Sequence, residues 1–125
     1  MQDDKNNFKG GFKNRLYKWV LKLLQFIDNL PKDNMSRILS DQLIRSSTST
    51  LANYVEAHSS SSKKDFAHYF RISLRSANES KVWLALLRDT KRGKNELINE
   101  LIGESQEIAA ILASSLITMN KKAGK

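Results

Sequence analysis

Residues 62–90 have the sequence SKKDFAHYFRISLRSANESKVWLALLRDT, and this stretch decides the fold. Its apolar and small residues recur at alternating spacings of four and three, which is the period of a helix that packs along one stripe. Small residues occupy the middle of the stripe and large ones its ends, so we expect a neighbouring helix to approach most closely at the centre. The stripe consists of Phe66, Phe70, Ser73, Ala77, Ser80, Leu84 and Leu87.

Three further segments show a helical apolar pattern. The first ends before Pro31, which disfavours helix at the preceding residue. The second contains a Ser/Thr run at residues 46–50, which by itself favours loops, but the apolar pattern resumes at Leu51 and we expect the helix to continue. Four helices joined by short turns predict an all-α, up-down-up-down antiparallel four-helix bundle. The three segments are at about residues 12–30, 35–57 and 95–120.

The composition agrees with one small helical domain. Of the 125 residues 40% are hydrophobic, enough for a core, and one Pro and five Gly argue against a turn-rich all-β fold. Without Cys the chain has neither disulfides nor thiolate metal sites. We find no signal-peptide pattern and no uncharged run of membrane-spanning length, so we expect a cytoplasmic protein with no membrane role. We divide it into a flexible lead-in (residues 1–11), the bundle (12–120) and a basic tail (121–125).

The net charge of +8 is concentrated in two segments. Residues 1–30 carry six Lys/Arg against three Asp/Glu, residues 63–92 carry eight against three, and the other segments are balanced. Cations opposite an apolar stripe suit a polyanion that is bound through its phosphates. An ordinary solvated helix face has the same appearance, and both interpretations stay open. The cations on the first helix are Arg15, Lys18 and Lys22; those on the third are Lys64, His68, Arg71 and Arg75, extended by Lys81, Arg88, Lys91 and Arg92.

Residues 108–117 (IAAILASSLI) are apolar or small on every side of the last helix. A bundle buries only one stripe of each helix, so outward apolar residues call for a second partner. Self-association is the economical explanation, and deeper packing within one chain is the alternative. The predicted interface residues are Ala110, Ala113, Ile117 and, on the third helix, Trp83.

The sequence carries no recognisable catalytic or cofactor-binding motif. A di-iron site in a four-helix bundle needs Glu three residues before His, and neither His58 nor His68 has it. Neither a Gly-rich phosphate loop, nor a nucleophile–base pair, nor a cluster of paired carboxylates is evident. We therefore expect neither an enzyme nor a protein with a cofactor.

The second and third helices have matching polar positions. A hairpin that turns near Ser60 places residues 46–50 opposite Ser73 and Ala77, and it brings Arg45 to the level of Glu79. We predict an Arg45–Glu79 ion pair as a structural lock, because removing one partner of a buried pair is costly.

Two motifs resemble a known family. The second helix has QLIR at residues 42–45, then Ser49 and ANYVE at 52–56; the third has Asp65-Phe66, YFRISL at 69–74, Ser76 and Glu79. Together with residues 108–117 they are similar to the four-helix-bundle proteins encoded in intervening sequences of bacterial large-subunit (23S) rRNA. The resemblance covers residues 12–119 and implies a homo-oligomer, a pentamer, of unassigned biochemical role. It also implies that the matched polar residues act as internal locks: Gln42, Arg45, Asn53, Glu56, Ser76 and Glu79.

The accessory proteins of diversity-generating retroelements resemble this family more distantly. They are basic pentameric bundles that bind nucleic acid and a reverse transcriptase, so structured RNA or DNA and a reverse transcriptase or other protein are the implied partners. Two functions are open at this point. One is a non-enzymatic oligomeric accessory protein that binds nucleic acid, RNA above all, through a basic surface. The other is an oligomeric protein-interaction scaffold whose charge serves only solubility.

Overall fold

A computed structural model of the protein describes residues 11–123, for Ala123 the backbone alone, and these residues form four α-helices. The predicted all-α four-helix bundle is confirmed, and the Ser/Thr run at residues 46–50 is helical. The predicted lead-in lies outside the described residues except for Gly11, which begins the first helix. Residues 121–123 of the predicted tail continue the last helix, and 124–125 lie outside the described part. The helices are α1 (Gly11–Asp28), α2 (Asn34–His58), α3 (Lys63–Asp89) and α4 (Asn95–Ala123).

The helices form a closed ring of neighbours. α1 packs against α2 and α4, and α3 packs against the same two helices, while no Cα atoms of α1 and α3 lie within 8 Å of each other in the described residues. Consecutive helices are joined by turns of four or five residues, so neighbours run antiparallel, as the sequence predicts. Because α1 and α3 lie diagonally across the bundle, their outward faces point to opposite sides.

The predicted stripes form the core. On α3 the stripe from Phe70 to Leu87 is buried throughout, and Phe66 at its start is half-buried. The core also includes one polar pair, in which Trp19 Nε1 of α1 donates a hydrogen bond to Ser105 Oγ of α4 at 3.1 Å. The hydroxyl of Ser105 in turn donates to the Leu101 carbonyl, so neither buried polar group lacks a partner. The largest fully buried side chains are Leu16, Trp19, Leu23, Leu43, Leu84, Leu87, Ile98, Leu101, Ile108 and Leu112.

The small residues at the middle of α2 and α3 form a buried layer of hydroxyl groups. Ser73 Oγ donates to the Thr50 carbonyl at 2.7 Å, and the hydroxyl oxygens of Ser46 and Ser80 are 2.8 Å apart. Thr50 Oγ1 and Ser80 Oγ each also donate to a carbonyl one turn earlier in their own helix. Because these side chains are small and all their hydroxyls are hydrogen-bonded, the two backbones can approach each other closely. α2 and α3 accordingly form the most extensive helix pair of the bundle.

Two turns meet at one end of the bundle and are joined by an ion pair. Asp33 caps α2 by accepting the Ser36 N–H at 2.9 Å, and its carboxylate also receives Arg92 Nη2 at 2.6 Å and Nε at 3.0 Å. Next to Arg92, Gly93 has φ +87°, and a Cβ there would lie 2.7 Å from the Phe26 ring. Glycine is thus required at this turn both by its backbone conformation and by the close approach of α1.

Acid should loosen this end of the bundle. The Arg92 hydrogen bonds, followed by those to Ser36, lower the pKa of Asp33 below its usual 3.8. A carboxylate whose pKa is lower in the folded state stabilises the fold above pH 4, and this contribution is lost as the pH falls toward the folded pKa. We expect the urea midpoint to fall more between pH 5 and pH 3 for the wild type than for Asp33→Asn, which keeps a capping oxygen but has no charge. Identical falls in the two proteins would contradict this assignment.

Candidate nucleic-acid interface

The outward side of α3 carries a row of cations along its N-terminal half. They follow at spacings of four, three and four and thus project opposite the buried stripe. All are exposed, and within residues 11–123 the Lys and Arg side chains among them form no hydrogen bond or ion pair. We name this row the basic face; it comprises Lys64, His68, Arg71 and Arg75.

Of the four cations predicted to extend the basic face, two are engaged by neighbours, whereas Lys81 is half-buried and Lys91 is exposed, both without an ion pair in the described chain. Arg88 Nε donates to Asp89 at 2.9 Å and its Nη1 to Asn99 of α4 at 2.8 Å, and Arg92 holds Asp33. These cations are partly neutralised by neighbours that sequence counting does not reveal. Along the same outward side the exposed polar residues Asn78 and Glu79 follow Arg75. Beyond them the side is apolar, with Val82 52% exposed and Leu86 41% exposed.

Carboxylates of α4 engage one of the three cations of the predicted basic strip on α1, whereas Lys18 and Lys22 are exposed and form no ion pair within the described residues. Arg15 forms a two-pronged ion pair with Glu104, Nε to Oε2 and Nη2 to Oε1 both at 2.7 Å, and Nη2 also reaches Glu107 at 2.9 Å. The Arg15 hydrogen bonds are the main cause of the lowered pKa of Glu104, to which the charge of Lys22 adds. Arg15 therefore joins α1 to α4, and its predicted contact with nucleic acid stays a prediction. Lys18 is exposed, but it lies across the bundle from the basic face and does not extend it.

The fold adds two cations that the sequence analysis did not include in the site. α3 begins at the end of the bundle where α4 finishes, so Lys63 and Lys122 line the same cleft, and both are exposed. The antiparallel topology, which was predicted, is the signal that would have found them. The basic face therefore continues onto this end of the bundle, which we name the basic end.

The polar residues predicted as locks lie mostly outside the core. Arg45 and Glu79 are both exposed and form no ion pair, so the structure lacks the predicted lock. The expected level along the hairpin is right, but Ser46 and Ser80 next to them fill the interface and turn both charges outward. The hydroxyl layer takes the place of the ion pair.

The remaining polar residues of the family motifs divide into two groups. Ser76 donates to the Ser49 hydroxyl across the helix pair at 2.8 Å, and Asn53 donates to the carbonyl and the hydroxyl of Ser49 at 2.9 and 3.0 Å. Gln42 and Glu56 are exposed. Local polar contacts therefore account for Ser76 and Asn53 within one chain, whereas the side chains of Gln42 and Glu56 form no hydrogen bond or ion pair with residues 11–123.

The predicted interface residues form no single patch in one chain. On α4, Ala110 and Ile117 are exposed, Ile117 by 56%, and Ala113 is half-buried. Trp83 of α3 is half-buried, and its Nε1 is enclosed without a hydrogen-bond acceptor. Further exposed apolar residues that sequence reasoning missed are Met35, Ile38, Val82 and Leu86.

Residues 11–123 contain neither a cluster of metal-ligating side chains nor a helix that could span a membrane. No three His, Cys, Asp or Glu side chains in this part of the chain gather closely enough to hold a metal ion. None of its helices combines the length and the apolar character needed to cross a membrane.

The structure is an all-α four-helix bundle with an unengaged row of cations on α3, and comparison with known proteins identifies the family. Residues 13–114 match the 23S rRNA-intervening sequence proteins, and the chain belongs to this family. Among solved structures it is similar to a protein of unknown function from the S23 ribosomal protein family of Bacteroides thetaiotaomicron. The two are 31% identical with a TM-score of 0.76, over 83% of this chain and 96% of the other. No curated protein matches the chain significantly.

Proposed function

We propose that the protein is a non-enzymatic, oligomeric accessory protein that binds structured RNA through the basic face of α3. The observation that carries the proposal is that the cations of this face lie in one row on the outward side of a single helix and that no carboxylate of the described residues engages them. Lys64, Arg71 and Arg75 are exposed and unpaired within the described chain, whereas Arg15, Arg88 and Arg92 are held by carboxylates. Unpaired cations in a row are available to phosphates, which they bind without reading base sequence.

Oligomerisation would strengthen a weak phosphate site. One basic face offers few contacts, but copies repeated around an assembly, for which the family resemblance suggests a pentamer, would bind one RNA together. Each contact after the first is then effectively intramolecular. The exposed Ile117 and Val82 support association, because apolar side chains of this size gain from being covered.

The salt dependence of RNA binding tests the proposal. Phosphate contacts release counterions, so the logarithm of the affinity should fall linearly with the logarithm of the salt concentration. We expect a steep fall for a structured RNA and little dependence on its sequence. If the protein binds no structured RNA even at low salt, the proposal is overturned.

A protein-interaction scaffold is the second candidate. It is favoured by the exposed apolar residues near one end of the α2–α3 pair, Met35 and Ile38 on α2 and Leu86 on α3. An apolar surface of this kind suits a protein partner. Protein binding that is insensitive to salt, in the absence of RNA affinity, would favour this function.

A charge on the outward side of α4 should break the assembly. We expect Ala113→Glu together with Ile117→Glu to convert the oligomer to monomers in sedimentation, because two carboxylates cannot be buried in an apolar interface without partners. Circular dichroism should show unchanged helicity. Thr48→Glu with Ala52→Glu is the matched control, since it adds the same two charges at the same spacing at exposed positions of another helix, α2. A wild type that is monomeric at micromolar concentration would contradict the prediction.

A further inference from the structure

A cleft lies at the basic end of the bundle, between the start of α3 and the end of α4. Its volume is about 680 Å³, within the range of pockets that hold small ligands. The floor is apolar and is formed by Phe66, Ala67 and Met119. The rim carries Lys63, Lys64 and Lys122 together with the hydroxyls of the serine-rich turn, and no Asp or Glu is among the described residues that line it.

The ring of Phe66 is held in place beneath this cleft. It stacks on Phe70 with ring centroids 4.8 Å apart at 24°, and the His58 ring lies nearly perpendicular to it, at 88° with centroids 5.1 Å apart. Contacts on two sides keep the ring in one orientation while it stays half-buried. A rigid aromatic ring of this kind is a platform on which a nucleobase can stack.

We infer that the cleft binds one unpaired nucleotide of the RNA, with its base on the Phe66 floor and its phosphates at the lysine rim. The inference rests on the proposed function and specifies its ligand. An apolar floor inside a positive rim is complementary to a nucleotide, whose base is apolar on its faces and whose phosphate is anionic. A base-paired nucleotide is already stacked within its duplex and cannot enter a recessed cleft.

The cleft and the basic face adjoin, because Lys64 belongs to both. One RNA can therefore place a duplex against Arg71 and Arg75 and an overhanging or bulged nucleotide in the cleft. The duplex part supplies affinity through phosphates, whereas the cleft supplies a preference for unpaired structure. The preferred partner is thus a helical RNA with an unpaired nucleotide next to the helix.

The test compares two RNAs with the full-length protein, a blunt hairpin and the same hairpin with one unpaired 2-aminopurine nucleotide at its end. We expect the hairpin with the unpaired nucleotide to bind about tenfold more tightly, which is the gain from one stacked base. We also expect the fluorescence of its 2-aminopurine to be quenched on binding. Binding of neither RNA would contradict the proposed function itself. Equal binding of the two RNAs, with no quenching, would overturn the cleft assignment alone.

Variants separate the cleft from general electrostatics. Lys63→Ala with Lys122→Ala should abolish the preference for the overhang, whereas Lys32→Ala with Lys94→Ala, the same charge change at exposed positions of the opposite end, should preserve it. Phe66→Leu keeps the apolar volume but removes the ring, and should abolish quenching; circular dichroism checks that it folds. Quenching that persists in Phe66→Leu would overturn the stacking assignment.

Free adenosine monophosphate provides the last arm of the experiment. We expect it to bind far more weakly than the overhang RNA, because the basic face contributes nothing to holding a single nucleotide. Free nucleotide binding as tight as that of the RNA would identify a mononucleotide as the ligand and overturn the RNA assignment.

Discussion

Replacing Arg71 and Arg75 with Ala is expected to cause the largest loss of RNA affinity of any surface change in this protein. Both side chains are exposed, lie one turn apart on α3 and have no partner within the described residues. The salt slope is the slope of the logarithm of RNA affinity against the logarithm of salt concentration, and each phosphate contact that is lost should reduce its magnitude by about one. The double variant should therefore reduce it by about two for every chain that touches the RNA. If several copies bind one RNA, the affinity should fall by a factor of about 100 or more, because avidity compounds the loss.

The matched control for this variant is Arg37→Ala with Arg45→Ala. It removes the same two charges from exposed positions on α2, so it should leave the salt slope close to that of the wild type. Affinity of the α3 variant should fall equally for RNAs of different sequence, since phosphate contacts carry no base information. Equal slopes for the wild type and the α3 variant, in oligomers of equal size, would reduce the basic face to a solvated helix surface.

The largest loss of stability is expected where α2 and α3 are closest. Ala77 is fully buried within the hydroxyl layer, and Leu at this position has no space unless the helices separate. Overpacking costs about 1–3 kcal/mol, and separation would also break the bond from Ser73 to the Thr50 carbonyl and leave it unsatisfied. We expect Ala77→Leu to lower the free energy of unfolding by about 3 kcal/mol.

Urea denaturation measures this loss, with Ala52→Leu as the control. Ala52 is exposed on α2, so the same substitution there should change the free energy of unfolding by less than about 0.5 kcal/mol. Similar urea midpoints for the two variants would mean that α2 and α3 tolerate a wider spacing than the hydroxyl layer implies.

The helices and the hydroxyl layer could be predicted because they depend on spacing along the chain. The alternation of four and three that places Phe70, Ala77 and Leu84 on one side of α3 is a local property of the helix. The predicted pairing of residues 46–50 with Ser73 and Ala77 follows from a short turn, which leaves the hairpin little freedom in register, and the structure extends it to Ser80, the partner of Ser46. Small residues at matching levels then predict close approach.

The contacts of the charged residues were predicted less well. Arg15 was assigned to nucleic acid because it lies on the outward side of α1, and its partners Glu104 and Glu107 are about 90 residues further along the chain. Arg45 and Glu79 were paired because they share a level, although the rotation of each helix about its axis turns both outward. Long side chains at the edge of a helix are directed by the neighbouring helix, which spacing alone does not identify.

The sequence by itself determined that this chain is a four-helix bundle, which stripes it buries and where its hydroxyl layer lies, because helical periodicity and short turns are properties of consecutive residues. Only the tertiary structure decided which cations are unengaged. The diagonal placement of α1 and α3 separates the two basic strips, the neighbour α4 neutralises Arg15, and the meeting of α3 with the end of α4 brings Lys63 beside Lys122. These are contacts between residues far apart in the chain, so they depend on how the helices are arranged around one another.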